Sequence, residues 1–470
     1  MKILLISPPI ENTIASIMPK ALEEGLDFLP PLGLMYIAGF LEKETSHKVE
    51  ILDAPVENIS HEHLKEEIKK RKPNVIGITA MTFTLIDVIK VAKNAKSINP
   101  NIKIVLGGPH VVIYPKETID IPEIDFLVLG EGEQVIKQLL ENINNPKKLK
   151  EVKGLVFKDG GEIVNTGMAD PVKDINNLPF PARHLTPFKK YFSVVSPNKP
   201  VTTMFTSRGC PYNCLFCDRP AFGKSFRPRS AKNVVDEFEQ CQKMGIKEIF
   251  IYDDTFAVDK NRVLEICAEI KKRKIVIAWD IRTRVNTVDE EIITALKDAG
   301  CQRIHFGVEA GTQRILNVLR KGITLEMAEK AFRMARKAGI QTLGYFMIGS
   351  PTETKEDILE TVKFMKKLNP DYAQTAITTP FPGTDLYKMA IKEKVLSGDV
   401  WQKFAQNPST EFIPPVWDKE ISKEELKRLL KKAYKAFYFR PNFIIKKISQ
   451  LNSWDEFKNK TRATWQLFKL

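Results

Sequence analysis

Apolar residues along the chain fall into short unbroken runs, separated by stretches in which they recur every three or four positions. The first run, Lys2-Ile-Leu-Leu-Ile-Ser7, is cut off by Pro8-Pro9. A strand covered on both faces is apolar throughout, so this run predicts a buried parallel strand. Pro30-Pro31 opens a helix reaching Glu42, because proline is pre-set for a first helical turn. Runs at 49–53, 75–79, 104–108 and 126–130 predict four more strands. Helical patterns fall among them: a polar one with Leu64 and Ile68, then 85–97 and 133–143. This alternation over residues 1–150 predicts an α/β unit of flavodoxin-like type, a doubly wound parallel sheet with helices on both faces.

The alternation pauses over 151–195. Leu155-Val-Phe-Lys-Asp-Gly-Gly-Glu-Ile-Val164 predicts a hairpin, and Leu178-Pro-Phe-Pro-Ala182 a stiff connecting strap. It resumes over 196–390 with longer helices. Strands at 201–205, 248–252, 276–282, 303–309, 343–349 and 372–377 are separated by helices at 231–244, 261–272, 290–299, 326–338 and 355–367. Six such units predict a partial (β/α)6 barrel, whose chemistry belongs at the C-terminal ends of its strands. Asp253, Asp254, Arg282, Arg284, Glu309, Ser350 and Glu353 fall there. Residues 391–470 read as a basic helical region. Its 424–438 stretch puts Leu426, Leu429, Leu430, Ala433 and Phe437 on one face and lysines on the other.

Composition adds a class and a compartment. At 470 residues, 43% apolar and 28% charged, the chain reads as a soluble protein of more than one domain. No run approaches the ~20 apolar residues of a spanning helix, and no signal peptide is evident, so a cytoplasmic location is expected. The net charge of +14 is uneven: residues 420–470 hold thirteen Lys and Arg against five Asp and Glu. That tail predicts either a cap over the barrel mouth with a solvated basic face, or peripheral contact with anionic lipid. Nucleic acid is disfavoured, since no RNA-binding motif accompanies the charge.

Three of the six cysteines, Cys210, Cys214 and Cys217, stand at C-x3-C-x2-C spacing. Thiolates ligate iron–sulfur clusters. Three on one tight loop suit three corners of a [4Fe–4S] cube and leave the fourth iron open to an amine and a carboxylate. Zinc would want a fourth nitrogen or sulfur ligand nearby, and none lies close in sequence. Cys241, Cys267 and Cys301 sit in amphipathic or apolar contexts and predict buried small hydrophobes, hence one cluster. Few cysteines outside the motif fit a reducing compartment.

Ligands of doubly wound sheets sit beyond the carboxyl ends of the strands. In the first unit those loops hold Pro8 and Pro9, then Thr79, Ala80, Met81 and Thr82, then Gly107, Gly108 and His110, and finally Gly130, Glu131 and Gly132. Glycine lets a backbone approach a bulky ligand, although ordinary βα turns look the same. His47, His61 and His63 read as solvated helix-end residues.

The stretch Arg208-Gly-Cys210-x3-Cys214-Leu-Phe216-Cys217 resembles the radical S-adenosylmethionine (SAM) superfamily. The resemblance implies that the open iron chelates SAM and that an electron, from a flavodoxin with its reductase or from a ferredoxin, cleaves it to a 5′-deoxyadenosyl radical. Phe216 then flanks the cluster. Asp253-Asp254 stand where the family's second-strand motif meets the methionyl amine, with helix capping by Asp254 as the plain alternative. Glu309 matches a fourth-strand position that contacts SAM, and Arg282 joins that set. Gly344 through Gly349, Ser350 and Glu353 resembles a G-x-I-x-G-x-x-x-E motif beside the adenine and ribose, its glycines expected to admit the flat base. Phe346 and Met347 depart from that pattern. His305 is expected to be packed or satisfied in the barrel rather than catalytic.

The first unit resembles the cobalamin-binding domain that precedes many radical SAM barrels, through Pro31-Leu-Gly-Leu34 with Tyr36, Gly107-Gly-Pro-His110 and Gly130-Glu-Gly-Glu133. It lacks the D-x-H-x-x-G pattern that supplies a histidine ligand to cobalt. The combined resemblance implies a class B methyltransferase using a [4Fe–4S] cluster, SAM and cobalamin to methylate an unactivated carbon of a small-molecule or lipid substrate. The rival is a radical cyclase without methyl transfer, as in tetrapyrrole ring formation. A tRNA methylthiotransferase is disfavoured, since residues 1–209 contain no cysteine. A non-enzymatic cobalamin or SAM sensor is the remaining alternative.

Overall fold

A computed structural model describes residues 1–14, 27–218, 222–441 and 443. Strand β1 (Lys2–Ser7) lies between β2 (Lys48–Asp53) and β3 (Val75–Thr79), parallel to both. Strands β4 (Lys103–Gly107) and β5 (Phe126–Val128) extend the sheet beyond β3. Leu4 and Ile6 join one core, with Ile76, Leu106 and the helices at His61–Arg71 and Leu85–Ile98. Ile3 and Leu5 join the other, with Val105 and the helices at Leu32–Glu44 and Gly132–Asn142. Both faces are covered, so the runs have to be apolar at every position. The chain leaves β1 to one side for β2 and returns to the other for β3, which makes the gap between β1 and β3 the switch point.

The hairpin at β6 (Leu155–Asp159) and β7 (Glu162–Asn165) is not a free connector. It pairs antiparallel with β5 and completes a seven-stranded sheet of order β2-β1-β3-β4-β5-β6-β7. Leu155 and Phe157 enter one core and Val156 the other, so the hairpin's own alternation finds two apolar layers to fill.

The second sheet is parallel and in sequence order: β8 (Val201–Met204), β9 (Glu248–Ile251), β10 (Ala278–Arg284), β11 (Cys301–Glu309), β12 (Gln341–Ile348) and β13 (Tyr372–Ile377). Its outer face, with Trp279, Ile281, Ile304 and Phe306, packs on the surrounding helices. Cys241, Cys267 and Cys301 lie in this outer core as expected, and burial pushes the thiols of Cys241 and Cys267 up to about 12.

The helix Lys423–Tyr438 closes the last strand. The Tyr434 hydroxyl donates to the Thr375 carbonyl (2.8 Å) and accepts from its N–H (3.1 Å). Tyr438 does the same at Ala373, at 2.7 and 3.1 Å. An uncovered edge strand invites pairing with other chains, and the two phenols satisfy this one. Leu426, Leu429, Leu430, Ala433 and Phe437 are all buried against protein. The apolar face of this helix is thus spent on the barrel, as in the cap alternative. Trp454, Trp465 and Phe468 lie outside the described residues. No helix among those described is long and apolar enough to cross a membrane.

Candidate functional site

The cysteine loop leaves β8 and is braced from three sides. Asp253, just after β9, accepts from Thr206 N (2.6 Å), Thr206 Oγ1 (2.5 Å), Ser207 N (3.0 Å) and Ser207 Oγ (2.6 Å). Such donors satisfy a buried carboxylate, so Asp253 serves as the foundation of the loop. Its neighbour Asp254 is the exposed carboxylate of the pair. The helix Lys260–Lys272 is capped by Asp259, so Asp254 does not cap it. At Gly209, with φ +82°, an added Cβ would lie 2.2 Å from the Ser225 carbonyl oxygen, so only glycine allows the loop to close next to Cys210.

From the barrel side, Arg284 Nη1 lies 3.3 Å from Cys214 Sγ, and its guanidinium covers the Tyr212 ring at 3.9 Å. Its Nη2 donates to the Lys321 carbonyl. Lys321 Nζ pairs with Glu309 Oε1 at 2.6 Å and stands 5.8 Å from the Phe216 ring centre. Glu309 has φ +75°, where a non-glycine residue costs roughly 1–3 kcal/mol. The β11–β12 register shifts there, which turns its carboxylate inward toward Lys321. Cys210 Sγ is 3.4 Å from Thr255 Oγ1.

The third brace crosses between the two sheets. Arg208, two residues before Cys210, pairs with Glu131 Oε2 at 2.6 Å and with Glu133 Oε1 at 2.5 Å. Arg227 pairs with the other oxygen of Glu131. All four side chains are buried. Burial works against the Arg208 charge, and Glu133 and Glu131 outweigh it, holding its pKa above the ordinary value. Glu131, placed by its glycine loop among the corrinoid-facing residues, is thus committed to two arginines. The flanking Gly130 faces Met168 and Ala169, and Gly132 faces Ile37 and Val128. Glu133 and Arg227 are the residues that sequence reading passed over. The signal was the repeated acid of Gly130-Glu-Gly-Glu133.

The glycines of the stretch that resembles the adenine motif are closely packed. A Cβ on Gly349 would meet Leu426 at 2.8 Å, and one on Gly344 would meet Phe346 at 2.9 Å. On the side where a Cβ would stand, these glycines face protein. Ser350 bonds Thr378 (3.1 Å) through its hydroxyl and Glu353 Oε2 (2.8 Å) through its N–H. Burial pushes Glu353 up to about 7, and its Oε1 is buried without a partner. Arg282 lies over the Tyr252 ring at 3.8 Å and donates to the Ile251 carbonyl at 3.0 Å.

In the first sheet the loops after β3 and β4 are stitched together. Ala80 N donates to Gly107 O (2.7 Å) and His110 N to Ala80 O (3.1 Å). Gly108 needs its φ of +103°, since a Cβ would lie 2.8 Å from Ala80 O. The space beside Gly107 is open. His110 is fully buried, with Nδ1 3.1 Å from Thr82 Oγ1 and Nε2 unpartnered. Burial lowers its pKa to about 4, so it is neutral. Thr79 and Thr82 are half-buried there and Met81 is exposed. Pro8 and Pro9 are buried, and the chain beyond them is held by Asn12 N to Asp87 at 3.0 Å. Asp87 also pairs with His61 Nε2 at 2.8 Å, so His61 is an anchor and not the solvated residue expected.

The donor set fits its groups. Three thiols on one loop, closed by Gly209, match cube ligation with one thiolate per iron. Among the described residues no three His, Cys, Asp or Glu side chains converge on a single-ion position. A neutral imidazole whose Nε2 lacks a partner, beside open glycine backbone, suits a large polar ring system over β3 and β4. Fold and site together define a half-barrel with a three-cysteine loop, clamped to a doubly wound parallel sheet.

Comparison with known proteins agrees. Residues 204–365 match the radical SAM superfamily and residues 23–140 the B12 binding domain. An uncharacterized methyltransferase of Pyrococcus horikoshii is 39% identical over 451 residues, covering 95% of each chain. The anaerobic magnesium-protoporphyrin IX monomethyl ester cyclase of Rubrivivax gelatinosus is 30% identical over 88% of this chain and 75% of its own. The cobalamin-dependent SAM radical enzyme OxsB, solved with aqua-cobalamin and SAM, shares the fold with a TM-score of 0.74 at 19% identity, over 99% of this chain and 71% of that one. The chain belongs to the B12-binding radical SAM family, whose cofactors are a [4Fe–4S] cluster, SAM and cobalamin.

Proposed function

We propose that this radical SAM enzyme is a cobalamin-dependent methyltransferase that places a methyl group on an unactivated carbon of a small-molecule or lipid substrate. When bound, cluster and SAM supply a hydrogen-abstracting radical and cobalamin supplies the methyl group. The observation that carries the reading is the buried Glu131–Arg208–Glu133 junction, which fixes the cysteine loop against the corrinoid-type sheet. Two cofactors that must act on one substrate need such a fixed separation. Cys210, Cys214 and Cys217 would hold the cluster. Asp254, Glu309 with Lys321, and Ser350 with Glu353 would meet SAM. His110, Thr82 and the Gly107-Gly108 backbone would face the corrinoid.

Methyl transfer is preferred over cyclisation because the Pyrococcus methyltransferase matches across nearly the whole of both chains. The likeness to the Rubrivivax cyclase keeps oxidative ring closure as the second reading. The test begins with anaerobic reconstitution in iron and sulfide, addition of cobalamin, and desalting. About four irons and about one cobalt per chain are expected. SAM labelled in its methyl group then separates the readings: label in the product supports methyl transfer, and an unlabelled, oxidised product supports cyclisation. Iron without cobalt would remove the assigned role of the first sheet.

A further inference from the structure

The inner face of the half-barrel carries a hydrogen-bonded chain that the cofactor motifs leave unused. Arg284, Gly307, Tyr345 and Gln374 stand on one row across β10 to β13, and the row begins at the arginine that touches Cys214. Tyr345 Oη is 2.9 Å from His305 Nδ1. His305 Nε2 is 3.1 Å from Asp280 Oδ2. Asp280 is fully buried, Tyr345 half-buried and Gln374 exposed, so the chain is closed at its carboxylate end and opens toward the lumen at its phenol. His305 is satisfied in the barrel, as expected, and its two ring nitrogens are engaged in series.

The charges around the chain set its resting state. Arg303 lies 3.3 Å from Asp280 and 2.7 Å from Glu248, which ties down the base of the lumen. Arg282 sits beside Tyr345 and Tyr252, while Asp27 lies near Arg303 and Arg282, and Glu309 bears on Tyr345 from the cluster side. Burial lowers His305 and outweighs Asp280, keeping the imidazole neutral. Burial raises Asp280, but His305, Arg303 and Arg282 more than offset it, so it stays a carboxylate. Burial raises Tyr345, which keeps its proton. Phenol, neutral imidazole and carboxylate in line, with the imidazole accepting at one nitrogen and donating at the other, is the arrangement of a general base.

We propose that Tyr345, His305 and Asp280 form a proton relay that deprotonates an acidic hydroxyl of a substrate held in the barrel lumen, with Arg282 stabilising the oxyanion. The substrate O–H bond breaks and its proton joins the Tyr345 oxygen. The Tyr345 proton passes to His305 Nδ1, and the Asp280 carboxylate holds the imidazolium. No electrons are exchanged. A hydroxyl is favoured over an amine, because a guanidinium at the phenol end repels an ammonium and attracts an oxyanion. The inference rests on the lumen being the reaction chamber and is independent of whether a methyl group is transferred.

The test uses the full chain, reconstituted with iron and sulfide, and 4-nitrophenol as a chromogenic acidic hydroxyl. Saturable binding is expected, with the bound probe ionised roughly tenfold more than free probe at the same pH. Tyr345→Phe, which keeps the ring, and His305→Gln should each abolish most of that excess, while circular dichroism and iron content match the parent. Arg282→Gln should weaken binding of the nitrophenolate form in particular. Absence of saturable binding, unchanged ionisation of bound probe, or an excess that survives in Tyr345→Phe would each overturn the relay. Cobalt retention and methyl labelling are separate readouts, so failure of the methyltransferase reading and failure of the relay are distinguishable.

Discussion

The two sheets use the same kind of strand in opposite ways. In the first, alternate residues of β1 feed two apolar cores, and the strand has no polar side to offer. In the second, one face of each long strand is apolar while the other carries Asp280, Arg282, Arg303 and His305. A sheet with helices on both faces can place ligand-binding groups only in its end loops. A half-barrel has an interior, and here that interior is charged, hydrogen-bonded and aimed at the cluster loop. The first unit therefore has only its loops to offer a ligand, while the second also has a polar interior.

The comparison is broken most severely at the cysteines. Replacing Cys210, Cys214 or Cys217 by alanine should take cluster iron and reductive SAM cleavage to background without unfolding the chain, as read by iron assay, 5′-deoxyadenosine yield and circular dichroism. Next comes the polar interior. Arg303→Met leaves Glu248 and Asp280 buried without their cation and should cost about 3–5 kcal/mol in denaturant unfolding. The counterpart in the first sheet, Leu106→Ala, removes apolar volume only and should cost about 2–5 kcal/mol. A much smaller loss for Arg303→Met than for Leu106→Ala would mean that the inner face is wet and adaptable.

A subtler test is pH. Glu353 is raised by burial from 4.5 to about 7, so across that window the folded chain holds a proton that the unfolded chain has released. Its contribution to stability should fall as pH rises from 4.5 to about 7, and Glu353→Gln should flatten that dependence. A parent whose excess stability over the variant instead grew with pH in that window would show the carboxyl to be paired. The smallest effect belongs to the solvated face of the last helix. Lys427, paired with Glu424 at 3.0 Å on the surface, should change stability by less than ~0.5 kcal/mol when replaced by alanine.

Much of the fold was legible in the chain. The predicted strands at 75–79 and 372–377 match Val75–Thr79 and Tyr372–Ile377, because apolar runs bounded by turns have few other uses. The strand expected from Val276 begins instead at Ala278, and Val276 is 86% exposed, which no local pattern announces. The family was equally legible, since the cysteine spacing that carries the resemblance lies within eight consecutive residues. Less legible were the partners of single residues. Asp253 proved a loop brace, Glu131 a junction acid, Gly349 a seat for Leu426, and the tail helix a cover for an edge strand.

By itself the sequence determined the element order, the two sheet types and the family. Each of these depends on spacing along the chain or on a local run of side chains. Tertiary structure decided which polar groups meet: Arg208 with Glu131 and Glu133, Lys321 with Glu309, and Tyr345 through His305 to Asp280. Those pairs join residues 12 to 77 positions apart. A buried charge is tolerated only where the fold brings it a partner, and that partner is set by strand register and domain packing, which no local window of sequence contains.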